Sequence, residues 1–307
     1  MRHFAYDRNF LSVHSVPVPV ISIGNLLAGG TGKTPLTLFF ARRFSSVVQV
    51  AILLRGYKSQ AIERGAAPRA FCWEKGERPL PEEVGDEAIL LAKNCPQSWV
   101  IVGKDRLQSA QLASDLGAQL ILLDDGMQHR RLHRDFEWVV IDAARPLDHF
   151  LPLGRLREIP ERLQVADCLL FTRCEEQALY ERAREKIAPY SSAPHLLFRT
   201  SVQKPRSLLG QTPLPLKVAL FCAIGFPDSF FQLVAGKLKR EVVYREVLPD
   251  HAYFSLAFLK RFARKSKQRG ARALLCTEKD WVKLPSPLSL PLPIFYLPIC
   301  FEEIAAG

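Results

Sequence analysis

Short, predominantly apolar runs punctuate the first part of the chain at residues 18–23, 48–54, 99–102, 120–123, 138–141 and 168–171. Runs of this length without a polar alternation are the signature of strands buried on both faces. The segments between them carry helical patterning, as in residues 105–116. Strands alternating with helices predict an α/β fold with a doubly wound, mostly parallel sheet. Beyond residue 187 the pattern changes, with Pro189, Pro194, Pro205, Pro213 and Pro215 accumulating before residue 217, which reads as a linker. After it come an apolar run at 218–223, a helix at 229–238, a basic helix carrying Phe258, Leu259 and Phe262, and further runs at 273–276 and 294–297. Residues 285–293 read as a proline-rich loop. These elements suffice for a second, smaller α/β domain, so the expected division is residues 1–200 and 201–307. No internal repeat or low-complexity tract interrupts either part.

In doubly wound sheets ligands sit beyond the carboxyl ends of the strands, so the residues following each run are the ones to read for chemistry. The first run leads into Gly24-Asn25-Leu26-Leu27-Ala28-Gly29-Gly30-Thr31-Gly32-Lys33-Thr34. Glycines let successive backbone N–H groups turn toward phosphate oxygens, a lysine reaches the terminal phosphates and a following threonine hydroxyl can bind Mg²⁺. The helix expected over 36–43 points its positive end at the same anion. A strict GxxxxGK[ST] pattern places glycine where this chain has Leu27, so the loop is a variant built on the Gly29-Gly30 pair. Gly29, Gly30, Thr31, Gly32, Lys33 and Thr34 are therefore the candidate nucleotide-binding residues.

The fourth run ends in Asp124-Asp125. A carboxylate at the end of a buried strand is how P-loop proteins hold Mg²⁺, directly or through water, and Asp124, which follows the strand directly, is the better candidate of the two. Residues 126–135 are rich in donors, including Gln128 and His129. Val84-Gly85-Asp86-Glu87 opens a helix, where carboxylates also serve as simple dipole partners. Arg55-Gly56-Tyr57 follows the second run as a turn with a possible phosphate-binding arginine. His14, His149 and His251 have nothing local that raises them above ordinary histidines.

Composition narrows the class. Hydrophobic residues make up 48% of the 307, enough for a real core. The seven cysteines form no CxxC pair, which points to reduced core thiols and away from a metal cluster. No window approaches the roughly 18 consecutive apolar residues of a membrane span, and the start lacks the apolar stretch of a signal peptide. The net charge is +11, and residues 201–307 hold 16 Lys/Arg against 8 Asp/Glu. Lys260, Arg261, Arg264, Lys265, Lys267, Arg269 and Arg272 run without an intervening acid. That run is either a solvated helix face or a surface for an anionic partner, nucleic acid or a negatively charged membrane.

Taken together, these segments resemble the tetraacyldisaccharide 4′-kinase family of lipid A biosynthesis. The resemblance spans nearly the whole chain through the glycine-rich loop, Arg55-Gly56-Tyr57, Val84-Gly85-Asp86-Glu87, Asp124-Asp125-Gly126-Met127-Gln128-His129 with Leu132 and Arg134-Asp135, and Leu151-Pro152-Leu153-Gly154-Arg155-Leu156-Arg157-Glu158. It continues in Gly225-Phe226-Pro227, Asp250-His251 and Thr277-Glu278-Lys279-Asp280. The resemblance implies transfer of phosphate from ATP, with Mg²⁺, to the 4′-hydroxyl of an acylated disaccharide 1-phosphate. Lys33 would then neutralise the β- and γ-phosphates, and Thr34, Asp124, Asp125 and Glu87 would hold the metal. Asp86 would be the general base, assisted by His251, with Gln128, His129 and Arg155 contacting substrate or phosphate. The resemblance also implies peripheral attachment to the cytoplasmic side of a bacterial inner membrane, and the basic excess agrees with an anionic lipid surface. The membrane-contacting segment of such kinases would correspond here to Phe4, Tyr6, Phe10 and Leu11. No nucleic-acid partner and no obligate protein partner are expected.

Two other readings compete. P-loop switch or assembly ATPases, such as partitioning and metallochaperone types, share the double-glycine loop, but the partitioning members place lysine where this chain has Ala28. A nucleic-acid-dependent NTPase would use the positive charge, yet no helicase-like or base-reading motif accompanies it.

Overall fold

The computed structural model describes residue 6 and residues 10–56, 59, 66–207, 212–285 and 288–305. It divides into two compact units, one formed by residues up to Thr200 together with the chain from Phe301 onward, the other by Ser201–Cys300. Composition alone groups 201–307 together. The last strand departs from that grouping because it joins the larger sheet.

In the larger unit the strands are β1 (Val20–Gly24), β2 (Val50–Leu54), β3 (Arg69–Cys72), β4 (Trp99–Val102), β5 (Leu120–Asp124), β6 (Phe136–Asp142), β7 (Cys168–Thr172) and β8 (His195–Val202). With the strand Ile299–Ile304 they form a nine-stranded sheet in the order Ile299–Ile304, β8, β7, β6, β1, β5, β2, β4, β3. The pairs from β8 through to β4 are parallel, and β3 runs antiparallel to β4. Every residue of β1 and β2 is buried, as continuous apolar runs require. The helices are α1 (Lys33–Phe44), the single turn α2 (Pro81–Val84), α3 (Asp86–Asn94), α4 (Arg106–Asp115) and α5 (Gln177–Ile187). Ala110 and Ala113 of α4 pack on Ala51, Leu53, Ile101 and Ile121. Tyr180, Ala183 and Ile187 of α5 pack on Val139, Leu169 and Phe171. The order reverses at β1, which pairs Ile23 with Asp124 of β5 on one side and with Trp138 of β6 on the other. Such a reversal opens a crevice at the carboxyl ends of the strands.

The smaller unit holds β9 (Arg206–Ser207), β10 (Lys217–Cys222), β11 (Glu241–Val247), β12 (Ala273–Thr277) and β13 (Ile294–Leu297) in the order β11, β10, β12, β13, β9. Only β9 is antiparallel to its neighbour. Its helices are α6 (Pro227–Gln232), continued by a π turn over Leu233–Lys237, α7 (Leu256–Gln268) and the short α8 (Glu278–Trp281). Phe258, Leu259, Phe262 and Ala263 of α7 bury against Phe221, Phe254 and Leu274, leaving the basic positions on the opposite face. The strand Ile299–Ile304 becomes β14.

The linker expected over 187–217 is not one. It contains β8, paired parallel to β7 through Leu196 and Leu197, as well as β9. Tyr6 is buried, with Arg130 stacked over its ring, whereas Phe10 and Leu11 are exposed. Phe4 and Tyr57 lie outside the described residues.

Candidate functional site

The loop between β1 and α1 is fixed before any ligand arrives. Gly29 and Gly32 both adopt the left-handed backbone region, with φ of 97° and 94°, where a side chain is strained and glycine is not. Asn25, fully buried, donates through its amide to Leu27 O at 2.6 Å and to Thr31 Oγ1 at 2.8 Å, tying the two legs of the loop together. Thr172, at the end of β7, donates to Thr31 O at 3.1 Å, and Arg173 reaches Gly30 O at 3.4 Å. Gln128 donates to Asn25 O at 3.3 Å. Gly32 is the N-cap of α1 and no side chain caps that end, so the first N–H groups of the helix face the crevice, the arrangement that suits a phosphate.

Lys33 and Thr34 begin α1, and the carboxylates at the end of β5 meet them. Thr34 donates to Asp124 Oδ2 at 3.5 Å and Thr37 to Asp124 Oδ1 at 3.1 Å. Lys33 Nζ lies 3.5 Å from Asp125 Oδ1, and Arg157 grips Asp125 with both terminal nitrogens, at 3.1 and 2.8 Å. Asp125 sits at φ 53°, a turn that sends the two successive carboxylates to different partners. Their acidities part accordingly. Burial, then the negative charges of Glu87 and Asp125, push the Asp124 carboxyl up to about 7 against the pull of Lys33 and the Thr37 hydrogen bond. Burial also opposes the charge on Asp125, but Lys33 and Arg157 overcome it and hold that carboxyl well below the usual range.

Asp86 and Glu87 start α3 directly after Gly85, itself at φ 90°. Asp86 is buried and accepts from the Glu87 N–H at 2.9 Å. His129 and Arg155 are near the same strand ends but differently engaged. Arg155 Nε is 3.6 Å from Asp148 Oδ2, and His129 lines a cavity of about 400 Å³ with Lys104, Asp105, Arg106 and Arg131. His251 belongs to the smaller unit. It stands at φ 62°, donates its N–H to Ala223 O at 3.1 Å and holds Nε2 3.2 Å from Lys279 Nζ. The larger unit therefore brings Lys33, Thr34, Asp124 and Asp125 into contact, with Glu87 close enough to raise the Asp124 carboxyl.

Two arginines in this neighbourhood escape sequence reasoning as site residues. Arg157 bridges Asp125 and Asn25 Oδ1, the latter at 2.6 Å across 132 residues of sequence. Arg106 is 3% exposed. It donates through Nη1 to Gly103 O, while Nε and Nη2 have no partner among the described residues. Burial lowers its pKa to about 10, against the carboxylates of Asp124 and Asp125 and with Arg55 opposing them. A buried guanidinium with open donors at a cavity wall is suited to an anion. Its only local signal is an arginine at the first turn of a helix that follows a strand.

A parallel sheet with a glycine-rich loop at its reversal point, a lysine and hydroxyl opening the next helix, and a carboxylate pair ending the adjacent strand define a P-loop nucleotide-binding fold. A family described as tetraacyldisaccharide-1-P 4′-kinase, LpxK, matches residues 1–305, and the chain belongs to that family. The tetraacyldisaccharide 4′-kinase of Syntrophotalea carbinolica is 35% identical over 317 residues, covering 100% of this chain and 85% of that one. The Chlamydia pneumoniae kinase of the same name is 33% identical over 287 residues, 87% of this chain and 72% of its own. The crystal structure of Aquifex aeolicus LpxK in complex with ATP superposes with a TM-score of 0.75 at 27% identity, covering 99% of this chain and 90% of that one.

Proposed function

We propose that the protein is an ATP-dependent kinase that phosphorylates the 4′-hydroxyl of a tetraacyldisaccharide 1-phosphate, giving lipid IVA and ADP. The observation that carries this reading is the divided carboxylate pair beside Lys33, set in a chain that matches the kinase family over its whole length. The backbone N–H groups of 29–34 and Lys33 bind the phosphates of ATP. Asp125, neutralised by Arg157, orients Lys33 toward them. Asp124 and the Thr34 hydroxyl, with Glu87 behind them, suit Mg²⁺: they are hard oxygen donors where burial and then the negative charges of Glu87 and Asp125 oppose ionisation of Asp124, and a cation relieves that opposition. Among the described residues no cluster of three or more His, Cys, Asp or Glu makes a metal cage. An Mg²⁺ ion at Asp124 and Thr34 would complete its shell with nucleotide oxygens and water. Such an ion would neutralise charge on the transferring phosphoryl group.

Asp86 is the base. As the substrate oxygen bonds to the γ-phosphorus, the bond to the β–γ bridging oxygen breaks, ADP carries away that electron pair, and the hydroxyl proton passes to the Asp86 carboxylate. A positioned base contributes about 10²–10⁴-fold to such a step, and alignment and charge neutralisation supply most of the rest. His251, held by Lys279, is proposed to assist Asp86. The cavity lined by Lys104, Asp105, Arg106, His129 and Arg131, where Asp105 pairs with Arg131 and the cations outnumber it, is proposed to receive the substrate's own phosphate, with Gln128 and Arg155 nearer the sugar. The residues 1–200 are proposed as the nucleotide-binding kinase part and the smaller unit as the part that completes the substrate site.

No helix among the described residues is long and apolar enough to cross a membrane. The positive charge of the chain and a lipid substrate together support peripheral binding to the anionic cytoplasmic side of the inner membrane. The deciding experiment combines the protein with Mg²⁺, ATP and a tetraacylated glucosamine disaccharide 1-phosphate in detergent micelles and reads the lipid by mass spectrometry. A gain of one phosphate at the 4′ position is expected. No gain, with ATP hydrolysis stimulated instead by DNA or a protein, would move the protein to the switch ATPases.

A further inference from the structure

Residues 149–156 close on themselves. Leu156 N donates to His149 O at 2.9 Å, Leu151 N to Leu156 O at 3.2 Å and Gly154 N to Phe150 O at 2.9 Å. The closure is so tight at Gly154 that a Cβ there would lie 2.3 Å from His149 O. Leu147 and Leu156 face the core, but the tip points the other way. Phe150, Leu151 and Leu153 are 50%, 55% and 91% exposed, and Pro152 between them is exposed as well. Four consecutive exposed apolar residues, held out by backbone bonds, gain nothing from folding in water.

The same loop is fastened to the phosphate cradle. Ala28 N donates to Arg155 O at 2.7 Å and Arg157 N to Leu26 O at 2.8 Å, and Leu27 bridges to Leu156. Residues 145–157 carry three arginines against one aspartate. Arg157 is held by Asp125 and Arg155 lies beside Asp148, which leaves the exposed Arg145 as the cation beside the tip. An apolar tip with a flanking cation is the chemistry of an element that enters the boundary between headgroups and acyl chains while the cation stays with anionic headgroups.

We infer that Phe150, Leu151 and Leu153 insert into the interfacial layer of an anionic phospholipid bilayer and thereby set the phosphate cradle at the depth where an acylated sugar presents its hydroxyl. The inference rests on the kinase reading for its purpose, since a substrate carrying acyl chains lies in such a layer. The depth required, about 5–10 Å, is within reach of Leu and Phe side chains on a short loop.

The test uses the full chain and vesicles of phosphatidylethanolamine and phosphatidylglycerol without substrate. The double substitution Leu151→Asp with Leu153→Asp should lower vesicle partitioning by about tenfold or more. Its ATP affinity, and its phosphorylation of a deacylated, water-soluble disaccharide 1-phosphate, should equal those of the parent. In a second variant, Leu153→Trp, the emission added over the parent should be quenched by bromine placed on the acyl chains. Unchanged partitioning of the double variant would overturn the inference. So would quenching that develops only after the acylated substrate is added, which would assign the loop to the substrate's own chains. A parent protein that phosphorylates no disaccharide, while the partitioning difference persists, would remove the kinase reading and leave the bilayer contact standing.

Discussion

Asp124 and Asp125 are neighbours in sequence with opposite environments, and chemistry follows from the division. Asp125 stays charged at any working pH because Lys33 and Arg157 face it. Asp124 changes charge at about pH 7, so a cation must compete with a proton there. The sign is direct: the carboxylate that binds Mg²⁺ exists above this pKa and is lost as the pH falls through it. Mg²⁺-dependent ATP binding should therefore weaken about tenfold per pH unit once below pH 7, measured by titration calorimetry, and Asp124→Asn should be weaker throughout and flat over the same range. Gly32→Ala should cost about 1–3 kcal/mol in thermal unfolding and abolish nucleotide binding, since its backbone is left-handed and its Cβ would meet the Phe301 ring at 2.9 Å. Both residues could be read from the sequence because a phosphate loop and a metal carboxylate need fixed residue types at fixed local spacing. Arg106 and Arg157 could not. What makes them site residues is a partner or a cavity supplied by tertiary structure, and an arginine among other arginines carries no such mark.

At the scale of elements, burial decided what could be read. β1, β2, β4 and the inner part of β5 are buried along their length and stand out as apolar runs. β8 and β11 are mostly half-buried or exposed. Their sequences, His195–Val202 and Glu241–Val247, mix charges and hydroxyls into the strand, and the prolines around β8 imitate a linker. β3 is four residues long at the edge of the sheet, with only Phe71 and Cys72 buried. Helix ends are better marked. Asp105 caps α4 by accepting from Leu107 N at 2.9 Å and Gln108 N at 3.3 Å, and it pairs with Arg131 at 2.8 Å. Asp105→Ala should destabilise the larger unit by about 1 kcal/mol through the lost cap. Because α4 also carries Arg106, the variant should weaken the substrate more than ATP. Chemical denaturation and separate Michaelis constants for the two substrates check the two parts of this expectation.

At the scale of the molecule, two units with separate cores imply separate responses to ligand. ATP at about 100 times its dissociation constant should stabilise the unit that binds it by about 2.7 kcal/mol. Amide exchange should slow in β1, α1 and β5 and remain unchanged in α7 and β12. Protection spread equally over both units would show that they unfold as one. The chain also leaves the larger sheet after β8 and comes back to it only with β14, whose Phe301 packs against Phe198 and lies against Gly32. On a ribosome, the glycine-rich loop emerges early, but the ring that backs it is encoded some 270 codons later. A nascent chain therefore holds an unfinished nucleotide cradle throughout synthesis of the smaller unit, and ATP can select for the finished larger unit only once the final strand has been translated.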